Sequence, residues 1–78
     1  MTTEQALAWI ADIFEEPIEA IKPETPRSDI KAWDSLGTLT LMARLDEDCG
    51  ILLNADDMLL INTVGDLLDM MKRQGKLV

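Results

Sequence analysis

The chain has 78 residues, of which fifteen are acidic and seven basic, so its formal charge at pH 7 is −8. That charge would repel a phosphate backbone, so we expect basic proteins as partners and no nucleic acid. Histidine is absent, which excludes a self-contained Ser-His-Asp or Cys-His hydrolase. A zinc site would have only one cysteine and carboxylates, which is a poor set of ligands.

The length and the apolar content of 47% predict one small folded domain over residues 1–78. No apolar stretch approaches the roughly 20 residues of a membrane span, and the N-terminal residues lack the basic and apolar regions of a secretory signal. We therefore expect a cytoplasmic monomer with no membrane partner. Cys49 has no second cysteine to pair with, and its place in an apolar pattern predicts a small core residue.

Thr2 or Thr3 can cap the first predicted helix, and Thr2 with Gln5 fits a capping box. The helix should end near Glu16, because Pro17 cannot continue the helical hydrogen bonds. Apolar residues recur along it at helical spacing and are expected in the core. They are Ala6, Leu7, Ile10, Ile13 and Phe14.

A long loop is predicted over residues 17–34, punctuated by Pro23 and Pro26. A connection of this length is uncommon in a compact domain unless the loop has a function. Four apolar side chains are spaced along it, and we expect them to anchor the loop to the helical core. They are Ile18, Ile21, Ile30 and Trp33.

The second predicted helix runs from about Ser35 to Asp48 and is stopped by Gly50 in the left-handed conformation. Its apolar stripe is too wide for a small core to cover, so part of it should stay exposed as a docking surface. The stripe consists of Leu36, Leu39, Leu41, Met42, Ala43, Leu45 and Cys49. Gly37 costs up to about 1 kcal/mol against Ala in a helix. It either keeps the neighbouring hydroxyl accessible or has no role.

Asn54 is predicted to cap a short third helix over about residues 55–60. Thr63, with Asp66 at the third helical position, should cap a last helix that Gly75 ends. Together the elements predict an all-α fold, a small four-helix bundle of three main helices and one short helix, with a long loop between helices 1 and 2.

An EF-hand is one alternative for the acidic residues, because Asp46, Asp48 and Asp57 have the spacing of its first, third and twelfth ligands. However, its fifth and sixth positions would be Gly50 and Ile51, which do not fit. We expect a solvated acidic helix end instead, and no metal site. An independent enzyme is also disfavoured, because so short a chain has little room to enclose a catalytic cleft.

Asp34-Ser35-Leu36 lies where the long loop meets the second helix. Alone, this triplet predicts a helix start, with Ser35 as the N-cap and Asp34 at the positive end of the helix dipole. It is accompanied by the acidic segment 46–48, by Thr-Val-Gly-Asp over 63–66 and by Pro-Glu-Thr-Pro over 23–26. The chain as a whole is acidic and 78 residues long. With these features the chain resembles the acyl carrier protein family over nearly its whole length.

The resemblance implies that Ser35 is the attachment site of 4′-phosphopantetheine, which a separate phosphopantetheinyl transferase donates from coenzyme A. Asp34 would support this modification by helping to position the magnesium ion of the transferase. The arm would carry acyl or aminoacyl groups as thioesters between loading ligases or synthases of fatty-acid, polyketide or other specialised biosynthesis. The chain itself would not be an enzyme.

The recognition face of the family maps onto three apolar and three acidic residues of this sequence. These candidate partner-binding residues are Leu36, Leu39, Ala43, Asp46, Glu47 and Asp57. Leu36 and Leu39 have an alternative interpretation as ordinary core residues, because the apolar stripe of the second helix is wide. Acidic residues at the rim of such a surface mainly tune the association rate and its salt dependence.

Four residues depart from the pattern of carriers in fatty-acid synthesis, namely Trp33, Gly37, Arg44 and Cys49. They leave the attachment motif intact and favour a specialised stand-alone carrier. The alternative from another class is an unmodified acidic helical adaptor that binds a basic protein through the second helix. Ser35→Ala would abolish carriage but would cost an adaptor only about 1 kcal/mol of cap stability.

Overall fold

Four α-helices make up the computed structural model, which describes residues 1–77: α1 (Thr3–Phe14), α2 (Ser35–Arg44), α3 (Ala55–Leu59) and α4 (Val64–Arg73). A π-helical turn, Leu45–Cys49, continues α2 and ends at Gly50, whose φ is +67°. Within residues 1–77 there is no strand, only one isolated bridge between Pro26 and Thr63. The predicted all-α fold with three longer helices and one short helix is confirmed.

Local capping signals start three of the helices as the sequence predicts. In each, a side-chain oxygen at the N-cap accepts a hydrogen bond from the backbone of the third helical residue, whose own side chain accepts one from the N-cap backbone. These capping boxes satisfy N–H groups that the first helical turn leaves unpaired. The pairs are Thr2 with Gln5, Asn54 with Asp57, and Thr63 with Asp66.

The core is formed by the inner faces of the helices and by the long loop. Phe14 stacks on Trp33 with ring centroids 5.0 Å apart, so the end of α1 is packed against the residue just before α2. Cys49 is buried as predicted, and burial raises the pKa of its thiol. Besides Phe14, the large side chains that are almost completely buried are Ile10, Ile21, Leu41, Leu45, Val64, Leu67 and Met71.

The loop between α1 and α2 is more ordered than the sequence indicates. α1 ends at Phe14, slightly before the expected Glu16, because Glu15 takes a left-handed φ of 55°. Two 3₁₀ turns follow, Ile18–Ala20 and Arg27–Asp29. The predicted anchors Ile21, Ile30 and Trp33 are buried. Ile18 was expected to be a fourth anchor, but it begins the first turn at the surface and is 49% exposed.

Backbone hydrogen bonds fasten the second half of this loop to the connection between α3 and α4. The N–H of Arg27 donates to the carbonyl oxygen of Asn62 at 2.8 Å, and the N–H of Val64 donates to that of Thr25 at 2.9 Å. Because the loop is held in this way, the start of α2 has a fixed position beside α3.

Candidate functional site

The N-terminus of α2 is capped by Asp34. Its Oδ1 accepts a hydrogen bond of 2.8 Å from the N–H of Gly37, and its backbone is still extended, with φ −103° and ψ −163°. Ser35, which the isolated triplet predicted as the cap, is instead the first helical residue. The helix starts one position earlier than that prediction, so the carboxylate of Asp34 performs the capping and the hydroxyl of Ser35 does not.

The Ser35 side chain is exposed. Within residues 1–77, its hydroxyl has no hydrogen-bond partner, whereas the N-cap side chains of all four α-helices are bonded. The hydroxyl therefore lies at the positive end of a helix, open to solvent and free to react with an external group.

Gly37 allows the loop to come close to this helix. A Cβ atom at this position would overlap the carbonyl oxygen of Ala32 and would lie 3.3 Å from the Phe14 ring. The sequence suggested that this glycine either keeps the hydroxyl accessible or has no role. The structure gives it a packing role instead, because only a residue without a side chain permits the backbone at Ala32 to lie against the first turn of α2.

A groove of about 580 Å³ is lined by Ser35 and by other residues of α2 and α3. Its walls are mostly apolar, and the Arg27 side chain from the second 3₁₀ turn also contributes to them. The groove is lined by Arg27, Asp34, Ser35, Thr38, Leu39, Met42, Ala55, Met58 and Leu59.

The apolar stripe of α2 is divided between two opposite faces. Leu41 and Leu45 are completely buried, whereas Leu36 is 73% exposed and Leu39 62% exposed. The interpretation of Leu36 and Leu39 as core residues is therefore wrong, as is the grouping of Leu45 on their face. Leu36, Leu39 and Ala43 are exposed and follow a spacing of three and four residues, which places them on one outward side of the helix.

The family model described as "Phosphopantetheine attachment site" matches residues 4–71 of the chain. The chain belongs to this family. Comparisons with curated proteins and with solved structures gave no significant match. The protein is thus a carrier domain and not an enzyme, and its prosthetic group is 4′-phosphopantetheine, which a phosphopantetheinyl transferase attaches. No helix within residues 1–77 of the carrier is long and apolar enough to cross a membrane.

The chemistry of the site fits this prosthetic group. Attachment through a phosphodiester requires an exposed hydroxyl, and Ser35 has one whose hydrogen-bonding capacity is unused. The phosphodiester is an anion, and unpaired N–H groups of a helix start favour an anion. When bound, the group supplies a terminal thiol that holds an acyl or aminoacyl group as a thioester.

The acidic candidates of the carrier lie in different places. Asp46 and Glu47 are exposed on the π-helical turn that follows α2. Asp57 is half-buried, and its Oδ2 accepts a hydrogen bond from the N–H of Asn54 in the cap of α3. Asp57 and Leu60 both line a second groove of about 910 Å³ between α3 and α4. Asp57 does not line the groove that contains Ser35.

A charged cluster at the far end of α2 was not predicted from the sequence. Asp48 Oδ2 accepts hydrogen bonds from Trp9 Nε1 at 2.7 Å and from Arg44 Nε at 2.8 Å. Arg44 also pairs with Asp12 at 3.5 Å. The bond from the Trp9 indole, together with that from Arg44, lowers the pKa of Asp48. Arg44 thus ties the end of α2 to α1.

This cluster also bears on the EF-hand alternative. The segment that would form the start of a calcium loop is helical, and the Asp48 carboxylate is already bonded to Trp9 and Arg44. Among residues 1–77, no group of three or more potential ligands is placed to hold a metal ion. The acidic helix end is therefore a solvated surface joined to α1 at one point.

Proposed function

We propose that Ser35 is the residue of this carrier that bears the 4′-phosphopantetheine arm. The observation that supports it best is an exposed hydroxyl, at the start of a ten-residue helix, that has no hydrogen-bond partner within residues 1–77. The chain has only one other serine, Ser28, which lies in the three-residue turn Arg27–Asp29. That turn is too short to offer the N–H groups and dipole of an α-helix.

We propose that Asp34 supports the modification as well as capping the helix. Its Oδ1 is bonded to the N–H of Gly37, and the side chain as a whole is exposed. The remaining oxygen can therefore be approached by the magnesium ion of a transferase, as the family resemblance implies. Carboxylate oxygens are the ligands that Mg²⁺ prefers.

We propose that partner enzymes dock on the outward side of α2. Leu36, Leu39 and Ala43 supply an exposed apolar strip beside Ser35, and exposed apolar surface of this kind marks interaction sites. Asp46 and Glu47 would meet basic residues at the rim and speed association at low salt. Asp57 belongs to this surface only for a partner that reaches past α3, because its carboxylate takes part in the cap of that helix.

We propose that the partners are acyl- or aminoacyl-loading ligases or synthases of fatty-acid, polyketide or other specialised biosynthesis. The chain would work as a single domain and a monomer in the cytoplasm. Cys49 supports that compartment, because a lone buried thiol is typical of reducing conditions. Family membership favours this carrier over the unmodified adaptor, since an adaptor needs no modifiable hydroxyl.

The experiment that tests Ser35 is intact-mass measurement after incubation with coenzyme A, Mg²⁺ and a promiscuous phosphopantetheinyl transferase. We expect the wild type and Ser28→Ala each to gain the mass of one phosphopantetheine, and Ser35→Ala to gain none. Ser28→Ala is the matched control, because it removes the other serine hydroxyl of the chain. Circular dichroism of each protein would show that the helices are intact.

Two results would overturn the assignment. Loading of a folded Ser35→Ala protein would place the arm on another residue. No loading of the folded wild type by two transferases of different specificity would leave the acidic adaptor as the better description of the chain.

A further inference from the structure

Within residues 1–77 of this strongly acidic chain, Arg27 is an arginine without an acidic partner. The sequence has fifteen acidic and seven basic residues, yet both ion pairs found within residues 1–77 belong to Arg44. Arg27 is half-buried. A guanidinium that loses part of its hydration normally gains a carboxylate or phosphate in exchange, so the lack of an acidic partner here calls for an explanation.

The side chain lines the groove that contains Ser35. Of the seven lysines and arginines in the chain, Arg27 is the one that contributes to this groove. The groove is also lined by Asp34 and Ser35 and by mostly apolar residues of α2 and α3. An anion attached at Ser35 therefore has one cationic side chain within the same concave surface.

The backbone of Arg27 is held in place. Its N–H donates to the carbonyl oxygen of Asn62, and the preceding Pro26 forms the bridge to Thr63. In the side chain, Nη1 donates to the carbonyl oxygen of Ile61 at 3.3 Å. That single long bond uses one of the five N–H donors of a guanidinium. The remaining donors match the oxygens of a phosphate group, which arginine commonly binds through two parallel hydrogen bonds.

We propose that Arg27 binds the phosphodiester of the arm on Ser35 and directs the arm into the groove between α2 and α3. This inference rests on the proposed attachment at Ser35. The modification adds one negative charge beside the Asp34 carboxylate, in a chain whose formal charge is already −8. Arg27 offsets that repulsion on the side of the groove, so the arm leaves Ser35 toward α3 and not into open solvent.

The test compares the apo and loaded forms of three proteins: the wild type, Arg27→Gln and Lys31→Gln. Lys31→Gln is the matched control, because it makes the same change in net charge at an exposed residue that does not line the groove. Intact mass first confirms loading of each protein. Thermal unfolding is then measured for both forms, and the ³¹P resonance of the loaded forms is recorded at low and high salt.

We expect loading to lower Tm more in Arg27→Gln than in the wild type or Lys31→Gln. The difference should be roughly 1–6 °C, as for one partly exposed ion pair in a domain of this size. The ³¹P resonance should shift in Arg27→Gln alone. Added salt should move the wild-type resonance toward that of the variant, because ions screen the pair.

Equal Tm changes and equal ³¹P resonances in the loaded Arg27→Gln and Lys31→Gln proteins would overturn the role of Arg27 while leaving Ser35 as the attachment site. Failure of the wild type to load would instead count against the proposed function. Should Arg27→Gln not fold, the ¹⁵N resonance of Arg27 Nε in the wild type decides. A shift on loading supports the contact, and an unchanged resonance refutes it.

Discussion

The two ends of α2 use their polar side chains in opposite ways. At the C-terminal end, Arg44 and Asp48 bond to each other and to residues of α1, so the helix is fixed there. At the N-terminal end, Asp34 caps the backbone while the hydroxyl of Ser35 stays unbonded and exposed. The helix is therefore tied to α1 at one end, whereas at the other end the structure leaves a serine hydroxyl exposed.

The backbone of Ala32 packs closely against Gly37 at the N-terminal end of α2, which we call the open end. Disrupting this contact should have the largest effect on stability. Gly37→Ala is expected to lower the free energy of unfolding by about 2 kcal/mol or more, because the added Cβ would overlap the Ala32 carbonyl oxygen and force the loop away from α2. Urea unfolding of the apo protein measures this change.

The sign of the effect is decisive, because alanine is intrinsically the better helix former. If Gly37 had no packing role, the substitution would stabilise the protein by up to about 1 kcal/mol. Thr40→Ala is a suitable control, since Thr40 is exposed on the same helix and its substitution should change the stability by less than about 0.5 kcal/mol.

The fold was largely predictable because its signals are local. The capping residues Thr2, Asn54 and Thr63 and the stop at Gly50 each act within a few residues of chain, and the structure has all of them. The exception was the start of α2, where two adjacent residues can both cap. A shift of one position moved the role from Ser35 to Asp34, and helix boundaries are seldom predictable more closely than that.

The features that could not be predicted all depend on contacts in the folded chain that no local sequence pattern encodes. Nothing near Gly37 indicates that the Ala32 carbonyl lies against it. The bond from Trp9 to Asp48 joins residues 39 positions apart. The chain sequence also does not reveal that Arg27 lines the groove of Ser35, because that follows from how the loop is fastened to the α3–α4 connection.

Asp34 and Ser35 should contribute differently to stability at the N-terminal end of α2. Asp34→Ala should lower the free energy of unfolding of the apo protein by about 1 kcal/mol, because it removes the N-cap. Ser35→Ala should change it by less than about 0.5 kcal/mol, since the hydroxyl has no hydrogen bond within residues 1–77. Asp34→Asn retains a capping oxygen and should keep most of the stability. A loss of about 1 kcal/mol in Ser35→Ala would show that the hydroxyl caps the helix after all.

The smallest expected effect on stability is at the C-terminal end of α2, where Asp48 bonds to Trp9 and Arg44, and it depends on pH. The Trp9 and Arg44 hydrogen bonds lower the pKa of Asp48 below its ordinary 3.8. Because the pKa is lower in the folded state than in the unfolded state, the contribution of Asp48 to stability is fully present above pH 3.8 and is lost as the pH falls through the folded-state pKa. The wild type should therefore lose more stability than Asp48→Asn on acidification below that value.

Urea unfolding at neutral pH and at about pH 3 measures this difference, with Asp46→Asn as the control on the same exposed turn. The carboxylate of Asp46 has no hydrogen bond or ion pair within residues 1–77, so this variant should follow the wild type more closely than Asp48→Asn does. Low salt is required, because Asp48 is exposed and its ion pair is screened. Identical acid sensitivity in the wild type and Asp48→Asn would mean that the cluster does not fix this end of α2. The two ends of α2 would then differ in the contacts of their side chains but not in how much those contacts stabilise the fold.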